Sequence, residues 1–253
     1  MRYSRPWLFF LLLLLCSTQL VWARQAPTFT PEPIDFARLL PPPPAPGSAQ
    51  QRQEIERLLA LQHARTPAMV AAVQADAART VFRFADVMGP SFTPENLPLT
   101  AAFFDQVKKD ARIMLGDAKE HWNRPRPSQT DPAIEPCIKN PHNASYPSGH
   151  STYATVVSIL LANMAPQKQA QIYERARQYR ENREIAGVHF PSDVAAGRIA
   201  GTVIVARLFE NPAFLREFAA ATAEVRRVLG LSLVGWPVPD AVPTGAPARA
   251  VAP

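Results

Sequence analysis

The sequence predicts an all-α fold: a single-domain helical bundle around a central buried helix, with proline-rich extended N- and C-terminal segments. Three observations carry that expectation. Apolar residues after Gln50 recur at three- and four-residue spacing. No run alternates apolar and polar residues between turn signals as a strand would. The chain has 253 residues, 47% of them hydrophobic and 19% charged, which is enough for a sizeable core and excludes disorder over its whole length.

The elements follow in order. Residues 1–23 read as a signal peptide: Arg2 and Arg5 give a positive start, Trp7 to Leu15 are unbroken apolar chain, and Val21-Trp22-Ala23 resembles a small-residue cleavage site. That apolar run is too short to span a bilayer as a retained anchor. Leu15 also stands where a lipoprotein signal through Cys16 wants a small residue. Over 24–49, eight prolines between Pro27 and Pro46 read as extended, polyproline-like chain. The helical domain is expected over 50–236, and five further prolines mark a second proline-rich tail over 237–253.

Within the domain, Thr66-Pro67 is an N-cap followed by proline at the first helical position. The spacing of Val70, Val73, Ala77, Val81 and Phe84 predicts one helix from there to the Gly89-Pro90 stop. Thr100 opens another, carrying Phe103, Phe104, Val107, Ala111 and Met114 to about Gly116. Between Trp122 and Tyr146, dense proline without periodicity predicts a long loop, and such loops are usually functional. Ser151 to Met164 is apolar on nearly all sides and predicts the central buried helix, ended by Pro166. Charged helices are expected over 167–186, 192–209 and 212–229, the last capped by Asn211 and closed by Gly230. Gly197 and Gly201, one turn apart, should allow a close helix crossing.

Removing the leader takes away Arg2 and Arg5 and no acid, so the formal charge falls from +6 to +4. This mild basicity suits anionic substrates. No basic run is interleaved with aromatics, so no nucleic acid is expected as a specific partner. No later stretch approaches ~20 apolar residues, so no transmembrane segment is expected after signal cleavage. Cys137 stands alone once Cys16 leaves with the leader, which rules out an internal disulfide.

Three stretches concentrate cations and imidazoles beside proline and glycine: Lys119 to Pro127, Pro147 to His150, and Arg183 to Asp193. Ser148-Gly149-His150 precedes the buried helix, where free N–H groups and the positive dipole end favour an anion, and glycine permits close approach. His189 and Asp193 are four residues apart at a helix start, so the carboxylate can fix the tautomer that leaves the other ring nitrogen nucleophilic. Arg183 continues the row Ile172, Ala176, Tyr179 on the face expected to turn inward. An inward arginine needs an anionic partner. With Lys119 and Arg126 it makes a cationic set suited to a phosphoryl group. His63 on an exposed helix face, His121 in the first stretch and His142 in the proline loop are assigned no ligand role. No pair of histidines has metal spacing, so no metal is expected.

Lys119-x6-Arg126-Pro127, Pro147-Ser148-Gly149-His150 and Arg183-x5-His189-x3-Asp193 resemble the three-part signature of the type 2 phosphatidic acid phosphatase and vanadium haloperoxidase superfamily. Leu39-Leu40-Pro41-Pro42-Pro43-Pro44, after a secretion signal, is similar to the soluble class A bacterial acid phosphatases. The resemblance implies His189 as nucleophile, Asp193 as its orienting partner and His150 as the acid that protonates the leaving oxygen. It implies Lys119, Arg126, Arg183, Ser148 and the Gly149 N–H as the phosphate clamp. One position departs from the pattern: Asn182 stands where serine usually precedes the third-motif arginine.

The expectation is therefore a periplasmic or secreted acid phosphatase acting on small phosphorylated substrates through a phosphohistidine, without a cofactor. A homodimer is compatible with the resemblance alone. The same site leaves three alternatives open: a vanadium-dependent haloperoxidase, a lipid phosphate or pyrophosphate phosphatase, and a non-catalytic periplasmic anion-binding protein. The last would leave His150 and the His189–Asp193 pair without purpose.

Overall fold

A short helix α1 (Phe36–Leu39) opens the part of the chain described by the computed structural model, which covers residues 31–232. The expected leader at 1–23 and tail at 237–253 lie outside the described residues. Phe36 and Leu40 are buried in the main core, so the core draws on a segment that composition alone assigned to an extended arm. Pro41 to Ala45 has no regular secondary structure, and Ser48 then caps α2 (Ala49–His63) by accepting from the Gln51 N–H.

Thr66 caps α3 (Pro67–Ala75) as the sequence predicts, but the helix stops there. The expected continuous helix to Gly89 is broken into a turn, a 3-10 segment Val81–Phe84 and α4 (Ala85–Met88). The reason is Asp76, whose buried carboxylate accepts from Arg83, Arg175 and Asn182 at 2.6–3.0 Å. Thr80 then caps the 3-10 segment through Phe82 N–H.

Helix α5 (Pro98–Leu115) begins ahead of Thr100, because a distant carboxylate caps it: Glu224 accepts from the N–H groups of Leu99 and Thr100 at 3.1 and 2.7 Å. The long loop expected between Trp122 and Tyr146 holds only the end of α6 (Ala118–Trp122) and the single turn α7 (Pro127–Thr130). Then come α8 (Gly149–Met164), α9 (Gln169–Ile185), α10 (Pro191–Phe209) and α11 (Pro212–Val228). No strand occurs among the described residues, so the fold is all-α.

The centre is α8, with Val156, Val157, Leu160 and Leu161 fully buried between α5, α9 and α10. Its closest neighbour is α10, and glycine makes the approach possible. A Cβ on Gly197 would lie 2.4 Å from the Ser148 carbonyl oxygen, and one on Gly201 would lie 2.7 Å from that of Thr152. No side chain fits at such distances, so this pair of helices cannot pack as observed with any other residue there.

Candidate active site

The first turns of α8 and α10 are pinned side by side. Ser148 N–H donates to the Asp193 carbonyl at 2.9 Å, and the Ser151 hydroxyl donates to that of Val194 at 2.6 Å. Two helix N-termini therefore converge, bringing Ser148, Gly149 and His150 beside His189 and Asp193. Ser148 also accepts from Ser151 N–H as the α8 cap, which leaves the Gly149 and His150 N–H groups without an acceptor in their own helix.

Asp193 occupies the third position of α10 and reaches back to accept from Phe190 N–H at 2.8 Å, half of a capping box. The same Oδ2 accepts from the Ser145 hydroxyl at 2.5 Å and lies 3.3 Å from Nδ1 of His189. With the Nδ1–H donating to Asp193, Nε2 keeps its lone pair, and that lone pair accepts from Nη1 of Arg126 at 2.9 Å. The geometry thus fixes the tautomer. Burial first, then Arg126, Lys119, Arg183 and His150, hold the His189 imidazole well below its usual pKa, so it stands neutral at ordinary pH.

Arg124 and Arg126 illustrate how the loop sequence positions charge. Each precedes a proline, which favours extended backbone, and residues two apart in extended chain point to one side. Arg126 has φ −70° and ψ 157° and turns to His189. Arg124 turns to Asp193, donating to Oδ1 at 2.6 Å while its other Nη donates to Glu54 at 2.8 Å. Its guanidinium lies 4.0 Å over the Phe190 ring. Glu54 accepts in turn from Ser192 N–H at 2.7 Å, tying α2 to the start of α10.

Arg126 spends all of its donors within the protein. Nε donates to the Asn143 carbonyl, Nη2 to Asn143 Oδ1 and the Ala144 carbonyl, and Nη1 to the Val188 carbonyl and His189. Burial, partly offset by Asp193, lowers its pKa to about 10. Lys119 donates to the carbonyls of Ala144 and Ser145 at 2.6 and 3.3 Å, and burial together with Arg126 pushes it down to about 7.

Arg183 differs from both. It is 1% exposed, on the inward row of α9 with Ile172, Ala176 and Tyr179, yet its Nε and Nη1 have no hydrogen-bond partner among the described residues. Burial lowers its pKa to about 10. A buried guanidinium with orphaned donors is costly unless something anionic completes it. Asn182 beside it donates to Asp76 at 2.8 Å, so the departure from the usual serine serves the link between α3 and α9. Arg175 and Arg83, with that amide, hold the Asp76 carboxyl below its usual range against its burial. His150 places Nε2 3.0 Å from the Ala77 carbonyl and stacks near Tyr179, and burial with Arg183 pushes its pKa to about 3.

The fold thus gathers all the motif residues expected from sequence: Lys119, Arg126, Ser148, Gly149, His150, Arg183, His189 and Asp193. His63, His121 and His142 are exposed and outside this set. Sequence reasoning missed Arg124, Ser145, Asn143 and Glu54, which hold the set in place, and Arg79, which acts electrostatically on Lys119, His150 and Arg183. Only Arg124 left a signal, as the first arginine of an Arg-Pro-Arg-Pro run. Among the described residues, no group of three or more His, Cys, Asp or Glu side chains could hold a metal ion.

A bundle that sets a neutral histidine among buried cations at paired helix starts defines a class, and the chain belongs to the PAP2 superfamily, whose model matches residues 110–216. A non-specific acid phosphatase of Providencia stuartii is 30% identical over 211 residues, 77% of this chain and 82% of that one. An acid phosphatase of Zymomonas mobilis is 29% identical over 198 residues, 74% of each. A non-specific acid phosphatase of Salmonella typhi is 31% identical over 149 residues, 56% of this chain and 59% of that protein's length, so the alignment there spans well under two thirds of the relative.

Proposed function

We propose that the protein is an acid phosphatase that hydrolyses small phosphomonoesters through a covalent phosphohistidine, with its charge stabilisation supplied by side chains rather than a metal. The observation that carries this reading is the His189 ring, held by Asp193 at Nδ1 so that its Nε2 lone pair faces Arg126, beside the orphaned donors of Arg183. The relatives named acid phosphatase support it.

A phosphoryl group placed at Nε2 brings an oxygen within reach of Arg126 Nη1, whose N–H then shifts its hydrogen bond from the imidazole lone pair to that oxygen. The lone pair is released at the moment it is needed. Arg183, Lys119 and the N–H groups at the start of α8 take the remaining oxygens, where charge spreads in the transition state. Nε2 attacks phosphorus, the P–O bond to the leaving group breaks, and His150 gives that oxygen its proton. Asp193 stabilises the positive ring of the phosphohistidine. Water then attacks phosphorus, the P–N bond breaks, and His150 takes the proton from water.

His150 is neutral at ordinary pH in the protein alone, and a dianion among these cations restores its proton affinity. General acid and nucleophile thereby hold different protonation states at one pH. The leader-like residues 1–23 support a periplasmic or secreted location. No helix of the described residues is long and apolar enough to cross a membrane.

Phosphate release from 4-nitrophenyl phosphate tests the reading. Activity should persist in EDTA, and orthovanadate should inhibit as a five-coordinate mimic of the transition state. Activity lost in EDTA and restored by zinc or magnesium would overturn the metal-free assignment. Phosphate binding without release would leave the protein an anion binder. Halide oxidation with added vanadate would point to the peroxidase alternative.

A further inference from the structure

Next to the catalytic cage, and reaching it at Lys119 and Gly149, lies a cavity of about 850 Å³. Its far wall is α5, which contributes Lys108, Lys109 and Arg112, and Arg79 closes the side nearest Gly149, with its Nη1 3.7 Å from where a Cβ of that glycine would be. Five cations thus face one concavity that holds only two carboxylates, Asp117 and Glu120. Lys108 is paired with Asp105 at 2.7 Å. Arg79, Lys109 and Arg112 form no ion pair or hydrogen bond among the described residues.

This charge exceeds what a phosphomonoester requires. A single phosphoryl group is small and is already met by Lys119, Arg126 and Arg183, and cations on α5 add nothing to its immediate shell. Lys108 and Arg112 are four apart and Lys109 and Arg112 three apart, so one helix face presents all three towards the cavity. A concave wall of one sign focuses the field and draws a second anion to it. The volume also lies in the range of sites for ligands much larger than phosphate.

We propose that this cavity is a second anion subsite, and that the enzyme favours doubly phosphorylated substrates, with one phosphoryl group at His189 and the other against Lys109, Arg112 and Arg79. The proposal rests on the phosphatase reading of the cage. Both diphosphates and carbon-linked bisphosphates carry the required chemistry.

The test compares the wild type with the double variant Lys109→Ala/Arg112→Ala, two exposed positions on α5. kcat/KM is measured for 4-nitrophenyl phosphate, inorganic pyrophosphate and a hexose bisphosphate. The ratio of kcat/KM for a doubly phosphorylated substrate to that for nitrophenyl phosphate should fall about tenfold in the variant, the scale of two exposed charge contacts. A fall with pyrophosphate alone places the second group directly beside the scissile one. A fall with the bisphosphate alone places it further along α5. Unchanged ratios for both overturn the subsite. If the wild type turns over no nitrophenyl phosphate, the phosphatase reading is what has failed, and calorimetry still decides the subsite. Pyrophosphate should then bind more tightly than orthophosphate, by a margin that shrinks about tenfold in the variant; equal margins overturn it.

Discussion

Oδ2 of Asp193 lies 3.3 Å from Nδ1 of His189, and this contact leaves Nε2 as the ring nitrogen with the lone pair. The carboxylate is itself fixed by three further donors, Arg124, Ser145 and Phe190 N–H, so the imidazole is oriented by a group that cannot turn away.

Quenching the enzyme during turnover of a labelled monoester, without acid, should trap phosphate on His189 in a bond stable to alkali and lost in acid. His189→Ala should abolish both label and turnover. Asp193→Asn should retain part of the turnover but also destabilise the fold, because an amide offers one acceptor oxygen where a carboxylate now serves Arg124 and three other donors. Breaking that buried pair should cost about 3 to 5 kcal/mol in chemical denaturation. Label on a serine would refute the assignment of the nucleophile.

In the proposed mechanism, His150→Ala removes the proton donor. Its effect should depend on the leaving group, being small for nitrophenyl phosphate and large for an alkyl phosphate, whose departing oxygen needs the proton. Equal losses on both substrates would remove His150 from that role.

Arg183→Lys replaces a planar fork with a point charge and should lower kcat/KM roughly a hundredfold to a thousandfold, by analogy with loss of one oxyanion donor. Arg183→Met should be inactive yet more stable without ligand, by about 1 to 4 kcal/mol, because it removes a buried charge with orphaned donors. Phosphate should raise the melting temperature of the wild type and leave that of Arg183→Met nearly unchanged. A less stable Met variant would mean that Arg183 is already compensated within the protein.

Lys119 titrates near pH 7 because burial and Arg126 disfavour its charge. A lysine is cationic below its pKa, so the clamp is complete under acid conditions and loses one charge as pH rises through about 7. kcat/KM should therefore decline on the alkaline side of 7. Lys119→Arg should carry the high plateau to higher pH, since guanidinium remains charged. A pH profile identical in the two proteins would assign the decline to another group.

Gly197→Ala should destabilise the protein by about 1 to 3 kcal/mol, because the new methyl would meet the backbone oxygen of Ser148 and must push α10 from α8. The same displacement parts Ser148 from Asp193, so turnover should fall with stability. Far-ultraviolet melting and nitrophenyl phosphate turnover on one preparation check both.

The helices and the motif residues were legible because they rest on short-range rules. Periodicity marked the buried row that carries Arg183, caps marked the starts of α3 and α11, and two glycines one turn apart marked a close helix crossing, whose partner α8 only the structure supplies. Dense proline without periodicity marked the long loop that carries Arg126. Spacing placed a carboxylate one turn from His189 without any knowledge of what lay across from them.

Tertiary structure alone decided what depends on residues far apart in the chain. The helix expected from Thr66 to Gly89 breaks because Asp76 is claimed by Arg175 and Asn182, about a hundred positions away. Glu224 sets the start of α5 in the same manner. Glu54 joins Arg124 to the head of α10, and Arg79 and the α5 cations become neighbours of the cage only once the bundle closes. Local chemistry determines which residues can react and which way a segment turns. Burial and charge pairing across the fold determine which guanidinium donors are left unpaired, and among the described residues two of them, Nε and Nη1, are on Arg183 beside His150 and His189.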